Sequence, residues 1–178
     1  MYTGSNKTAL SSQEQIADAF VRLLRENSYV NISISAVCKE AGTSRQTFYS
    51  LFESRENIIL YELSKKHSFQ PADTCPCNCT PLKAIAGEYS SYIAEKQEFL
   101  SLLVKNDLIY LMHQCLFDAF MGCSFFCEDL PERERTFAAE FMAGGLAGIA
   151  KTYILDGCTL SRRELEQIIY KLFQGELF

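Results

Sequence analysis

An all-α fold is predicted for this sequence by three observations. Apolar residues recur every three or four positions in segment after segment, and strand-type alternation is weak throughout. Ser-x-x-Glu capping boxes stand before two of the periodic runs, at Ser11 to Glu14 and at Ser161 to Glu164. With 178 residues and 48% hydrophobic content, the chain is long enough to bury a substantial core as one compact unit or two small ones.

Taken in order, the first helix is expected from Ser12 to Asn27, with Ile16, Phe20, Leu23 and Leu24 on its apolar side. Ser33 is a good N-cap for a second helix, in which Ile34, Val37, Cys38 and Ala41 share a face, and Gly42 supplies the permissive backbone for its stop. Thr43 or Ser44 caps a third helix with Phe48, Leu51 and Phe52 inside and Arg45, Gln46, Thr47 and Tyr49 outside. That is a helix-turn-helix with a polar reading face, packed on helix one with Tyr29 and Ile32 completing a small core. Ser54 then caps a fourth helix to about Lys66, with Ile58, Ile59 and Leu63 inward.

From Ser68 to Pro81 the composition changes sharply. Pro71, Pro76 and Pro81 lie there with Cys75, Cys77 and Cys79, which marks a linker loop between a head, residues 1–67, and a helical body, residues 82–178. In the body, Leu82 to Ile93 is amphipathic and Phe99 to Val104 makes a short helix. Asn106-Asp107 restarts a helix through about Met121. Pro131 suits the first turn of the next helix, which Asp156-Gly157 closes, and Ser161 opens a last helix through Phe173.

The formal charge of -5 argues against a uniformly basic nucleic-acid coat, but it is unevenly spread. Before residue 71 there are eight Lys and Arg against seven acids, and after it nine against fifteen, so a near-neutral head is joined to an acidic body. Met1 to Lys7 is polar and no apolar signal segment follows, which predicts a cytoplasmic protein. The apolar run from Phe99 to Phe126 is broken by Lys105, Asn106, Asp107, His113, Gln114 and Asp118, so it reads as core helices and not as a membrane span.

The run Ala41-Gly42-Thr43-Ser44-Arg45-Gln46-Thr47-Phe48-Tyr49, followed by Phe52, Ser54, Arg55 and Glu56, resembles the turn, recognition helix and fourth-helix start of the TetR family of transcriptional regulators. The resemblance covers the first third of the chain. It departs from the family at Leu51, where a histidine is frequent, at Arg55, where lysine is usual, and at Cys38, usually alanine. Arg55 keeps the charge, and Cys38 is small enough for the two helices to approach.

Chemistry and resemblance together nominate the sites. Ser33, Ser44, Thr47, Tyr49 and Arg55 suit DNA phosphates, because hydroxyls at helix starts and a helix N-terminus meet anionic oxygens; Arg45 and Gln46 suit base edges. The bland alternative is a merely solvated face. The resemblance implies an effector pocket lined by Tyr89, Tyr92, Phe99, Tyr110, His113, Phe117, Phe120 and Phe141, with core packing as the competing account. It also implies a homodimer through the last two helices, at Phe137, Phe141, Gly144, Gly148, Leu165, Ile168, Ile169 and Leu172. Cys75, Cys77 and Cys79 are spaced too closely for the usual zinc pattern, so no metal or cofactor is assigned; inert thiols stand beside a thiol- or metal-responsive reading. With His67 and His113 its only histidines, no Gly-rich phosphate loop and no nucleophile motif, the chain is not expected to be an enzyme.

The expected function is a homodimeric regulator of double-stranded operator DNA, a repressor released by a small effector. The alternative, hinted at by a TetR subgroup that includes an operon activator, is a coactivator that uses the scaffold to bind a protein.

Overall fold

The computed structural model describes residues 1–65, 81–124 and 126–175, and among these the regular elements are all helical. The chain divides into two compact units, Met1–Lys65 and Lys66–Phe178.

The first unit contains α1 (Lys7–Glu26), a 3-10 turn (Tyr29–Asn31), α2 (Ile34–Ala41), α3 (Arg45–Leu51) and α4 (Arg55–Ser64). Helix α1 begins upstream of the expected Ser12 because Asn6 caps it, its side chain accepting from the N–H groups of Thr8 at 3.0 Å and Ala9 at 3.4 Å. The Ser11–Glu14 box therefore lies inside the helix. Gln13 is buried there, and its Nε2 donates to the Tyr2 carbonyl at 3.0 Å. Tyr2 in turn donates its N–H to the Leu51 carbonyl at 2.8 Å, so the amino-terminal arm satisfies an orphan acceptor at the end of α3.

Helix α1 packs on α2, α3 and α4. Ile16, Phe20 and Leu24 meet Val37 and Cys38 of α2, Phe48 and Leu51 of α3, and Ile58, Ile59 and Leu63 of α4 in a core closed to solvent. Burial pushes the Cys38 thiol up, against a smaller opposing influence from the Arg45 charge, so this cysteine is a small apolar spacer. Gly42, at φ 64°, ends α2 in the left-handed conformation its position in the sequence predicts.

The second unit contains α5 (Pro81–Lys105), α6 (Tyr110–Gly122), α7 (Glu132–Leu155) and α8 (Arg162–Gln174). Helix α7 packs on α5 and α6, and α8 packs on α5. Two expectations are corrected here. Helix α5 is continuous where a break between Ile93 and Phe99 was expected, because Ala94 to Glu98 are all good helix formers and Phe99, Leu100 and Leu103 extend the buried stripe. Asn106 and Asp107 close α5 and do not open α6. Asn106 Nδ2 donates to the Leu102 carbonyl at 2.9 Å, Asp107 takes φ 57°, and the Leu108 N–H reaches back to the Leu103 carbonyl at 2.8 Å.

The far end of α6 is capped by another helix. From the first turn of α7, Arg135 donates through Nη2 to the carbonyls of Met121 at 2.8 Å and Cys123 at 2.6 Å, and through Nε to Phe126 at 2.9 Å. Ser161 and Glu164 form the expected capping box at the start of α8. Among the described residues no helix is long and apolar enough to cross a membrane. Cys75, Cys77 and Cys79 lie outside the described residues.

Candidate nucleic-acid interface

Helix α3 is short, so its cap decides whether it forms. The Ser44 Oγ accepts from the Thr47 N–H at 3.0 Å and lies 2.9 Å from the Thr47 hydroxyl, which fixes the first turn from both sides. Phe48 and Leu51 then point into the core, while Arg45, Gln46 and Tyr49 emerge on the opposite side. Phe48 meets the Tyr49 ring edge-on at 5.6 Å and so supports an otherwise exposed aromatic. Ser33 stands exposed at the start of α2, its Oγ accepting from the Ala36 N–H at 3.1 Å.

Of the residues nominated for DNA, the structure thus leaves Ser33, Ser44, Arg45, Gln46 and Tyr49 open to solvent and Thr47 half-buried. Arg55 is placed differently. It is half-buried, its Nη1 donates to the Tyr29 carbonyl at 2.9 Å and also to the Ile32 carbonyl, and its guanidinium lies 4.2 Å from the centre of the Tyr29 ring. The Tyr29 hydroxyl donates to the Glu56 carboxylate. Burial works to raise the Glu56 pKa, yet the bonds from Tyr29, its own backbone and Ser54, with the charge of Arg55, hold it below the usual carboxylate range. Sequence reasoning had no signal for this cluster, whose partners lie more than twenty residues apart.

In the second unit, the eight residues nominated for an effector pocket differ widely in burial. Tyr89 is fully buried, donates its hydroxyl to the Leu146 carbonyl at 2.8 Å and stacks on Tyr92 with centroids 6.1 Å apart. Burial drives both hydroxyls far above the usual phenol range. Phe99 and Phe120 are also core residues, and Phe117 is half-buried. Tyr110 and Phe141 face solvent, and His113 Nε2 lies 3.0 Å from Glu140 Oε2 in a partly exposed pair between α6 and α7.

An apolar groove of about 590 Å³ opens between α7 and α8, walled by Phe141, Gly145, Gly148, Ile149, Tyr153, Ile168, Leu172 and Phe173, with Thr152 and Asp156 also lining it. On α7, Phe137 at 67%, Phe141 at 71% and Leu155 at 66% exposure stand open with Gly144 and Gly148, of which Phe141 and Gly148 also line the groove. Of the nominated dimer residues on α8, Leu165, Ile168 and Leu172 line the groove, Leu165 at its buried floor, whereas Ile169 is buried outside it. Ile169 is therefore core, since α8 turns that side to α5. Ile149 was missed, although its spacing of four from Gly145 and Tyr153 on α7 would have found it. Among the described residues no group of three or more His, Cys, Asp or Glu is placed to hold a metal ion.

A short capped helix with an exposed polar face, set on a three-helix core behind a glycine-terminated helix, defines a helix-turn-helix DNA-binding module. Residues 16–61 match the family of bacterial regulatory proteins, tetR family, so the first unit carries a DNA-binding head of the TetR type. Over its length the chain is similar to the HTH-type dhaKLM operon transcriptional activator DhaS of Lactococcus lactis subsp. lactis (strain IL1403), with 22% identity covering 97% of this chain and 95% of that protein. The solved dihydroxyacetone kinase operon activator DhaS shares the fold, with a TM-score of 0.57 and 22% identity over 93% of this chain and 95% of that one. So does the fatty acid degradation regulator FadR from Bacillus halodurans, with a TM-score of 0.55 and 17% identity over 96% of each chain. The matched family and these relatives are all named as regulators.

Proposed function

We propose that this chain is a cytoplasmic, homodimeric operator-binding repressor under the control of a small effector, with no catalytic activity and no bound cofactor. Residues 1–67 serve as the DNA-binding head, 68–81 as linker and 82–178 as the effector and dimer body. The observation that carries the reading is the outward face of α3, where Arg45, Gln46 and Tyr49 stand exposed opposite the buried Phe48 and Leu51. Arg45 and Gln46 meet base edges; Tyr49, Ser33 and Ser44 meet phosphates.

Repression asks only that a bound dimer occupy the promoter. Dimerisation is supported by the open face of α7, because large apolar side chains so exposed along one helix mark a surface made for a partner. An apolar effector fits the α7–α8 groove, which shares Phe141 and Gly148 with that face. A ligand that binds better when the two heads are wrongly spaced weakens operator binding by the same coupling energy.

A second reading, favoured by the name of the DhaS relative, is activation through a protein partner. Gel shifts with the chain's own upstream DNA, with and without candidate partners, separate the two. A shift by the chain alone, relieved by a ligand found in the purified protein by mass spectrometry, supports the repressor. A shift that appears only with a partner sinks it. Tyr49→Ala is expected to lower affinity for operator and unrelated DNA by the same factor, since phosphate contacts position without specifying. Competition titrations check this, and a loss confined to the operator would move Tyr49 to the bases.

A further inference from the structure

Resting on the DNA-binding reading, we propose that Arg55 is a positioning residue that locks the start of α2 for phosphate contact and is not itself a phosphate ligand. The two carbonyls that accept from its guanidinium belong to Tyr29 and Ile32, which begin and follow the 3-10 turn leading into α2. Ile32 is the residue immediately before Ser33, whose hydroxyl caps α2 at an exposed helix start. Fixing the Ile32 carbonyl therefore fixes the peptide plane that aims Ser33 and the first N–H groups of α2.

The lock closes on itself. Arg55 stacks on the Tyr29 ring, and the Tyr29 hydroxyl returns to Glu56, the residue next to Arg55 at the start of α4. The first turn of α4 and the lead-in to α2 are thereby one rigid piece, and displacing α4 displaces the Ser33 end of α2. A lysine does not reproduce this arrangement, since an ammonium has no flat face to lay on the ring and lacks the plane that fixes the two N–H directions of Nη1 toward the carbonyls. The carbonyls take Nη1 and the ring takes the face, so the guanidinium is held in place by the protein and is not free to follow a phosphate.

Salt dependence separates the two roles. Removing a side chain that neutralises one phosphate makes the plot of log K against log salt shallower by about 0.9, whereas removing a positioning residue shifts the line without changing its slope. Operator titrations between 50 and 200 mM salt compare the parent with Arg55→Gln, Arg55→Lys and Tyr29→Leu, each held below its melting temperature. All three variants are expected to bind roughly tenfold more weakly, the loss of charge-assisted bonds, along lines parallel to the parent. Ser33→Gly, a change helix starts tolerate, is expected to weaken the parent but to add nothing to Arg55→Gln, because a hydroxyl no longer aimed has nothing left to lose. The proposal is overturned if Arg55→Gln flattens the slope by about 0.9 per head while Arg55→Lys binds like the parent. Should Arg55→Gln fail to fold, Tyr29→Leu decides with the charge intact, and parental affinity there overturns it equally. A parent that binds no DNA at all defeats the DNA-binding reading itself, a result distinct from either slope.

Discussion

Gly148→Leu is expected to give a folded monomer that has lost most of its operator affinity. A Cβ built at Gly148 meets nothing within 4 Å in the protomer, and the residue lines the open α7–α8 groove, so leucine there has room without overpacking the core. Gly145 is unsuitable for the same test, because its Cβ would lie 3.1 Å from the Phe173 ring and disturb the protomer itself. A loss of the dimer in a folded Gly148→Leu variant then points to a second copy lying against α7. Without that copy the two heads no longer bind as one ligand, and the avidity lost is about 10²- to 10⁴-fold. Light scattering gives the mass and titration the affinity. A variant that remains dimeric would place the interface elsewhere.

Phe48→Ala is expected to unfold the head while leaving the body intact. Phe48 is fully buried where α3 meets α1, and truncating such a phenylalanine costs about 3–5 kcal/mol. A unit as small as Met1–Lys65 has a total stability of roughly 3–10 kcal/mol, so a loss of that size leaves little or none in reserve. Hydrogen exchange resolved along the sequence should show protection lost from α1 to α4 and kept in α5 to α8. Protection lost in both units together would mean that they fold as one cooperative piece.

The features legible in the sequence were the locally determined ones. Gly42, Ser44, Ser54 and Ser161 act within a turn of their own position, and each ends or begins a helix as its residue type requires. Asn106 and Asp107 were misread because the same residues serve as an N-cap or as a left-handed stop, and the choice depended on Leu108 reaching back to Leu103. Ile168 and Ile169 show a second limit. Helical spacing separates their two faces, yet only the placement of α5 makes one of them core and leaves the other to the groove. The aromatic residues of the body were equally ambiguous, since Tyr89 and Tyr110 differ in burial and not in type. Arg55 was assigned by its place in a motif, and its carbonyl partners became visible only when the turn before α2 was placed beside the start of α4.

The claim that the exposed face of α3 reads DNA is tested most directly by selecting bound sequences from a random double-stranded pool with the parent and with Gln46→Ala. The account predicts a palindromic site for the parent and, for the variant, the same site with preference relaxed at one base pair in each half, where a base contact contributes about 1–3 kcal/mol of discrimination. A pool from which the parent enriches nothing, or a selected site that Gln46→Ala leaves unchanged, would contradict it.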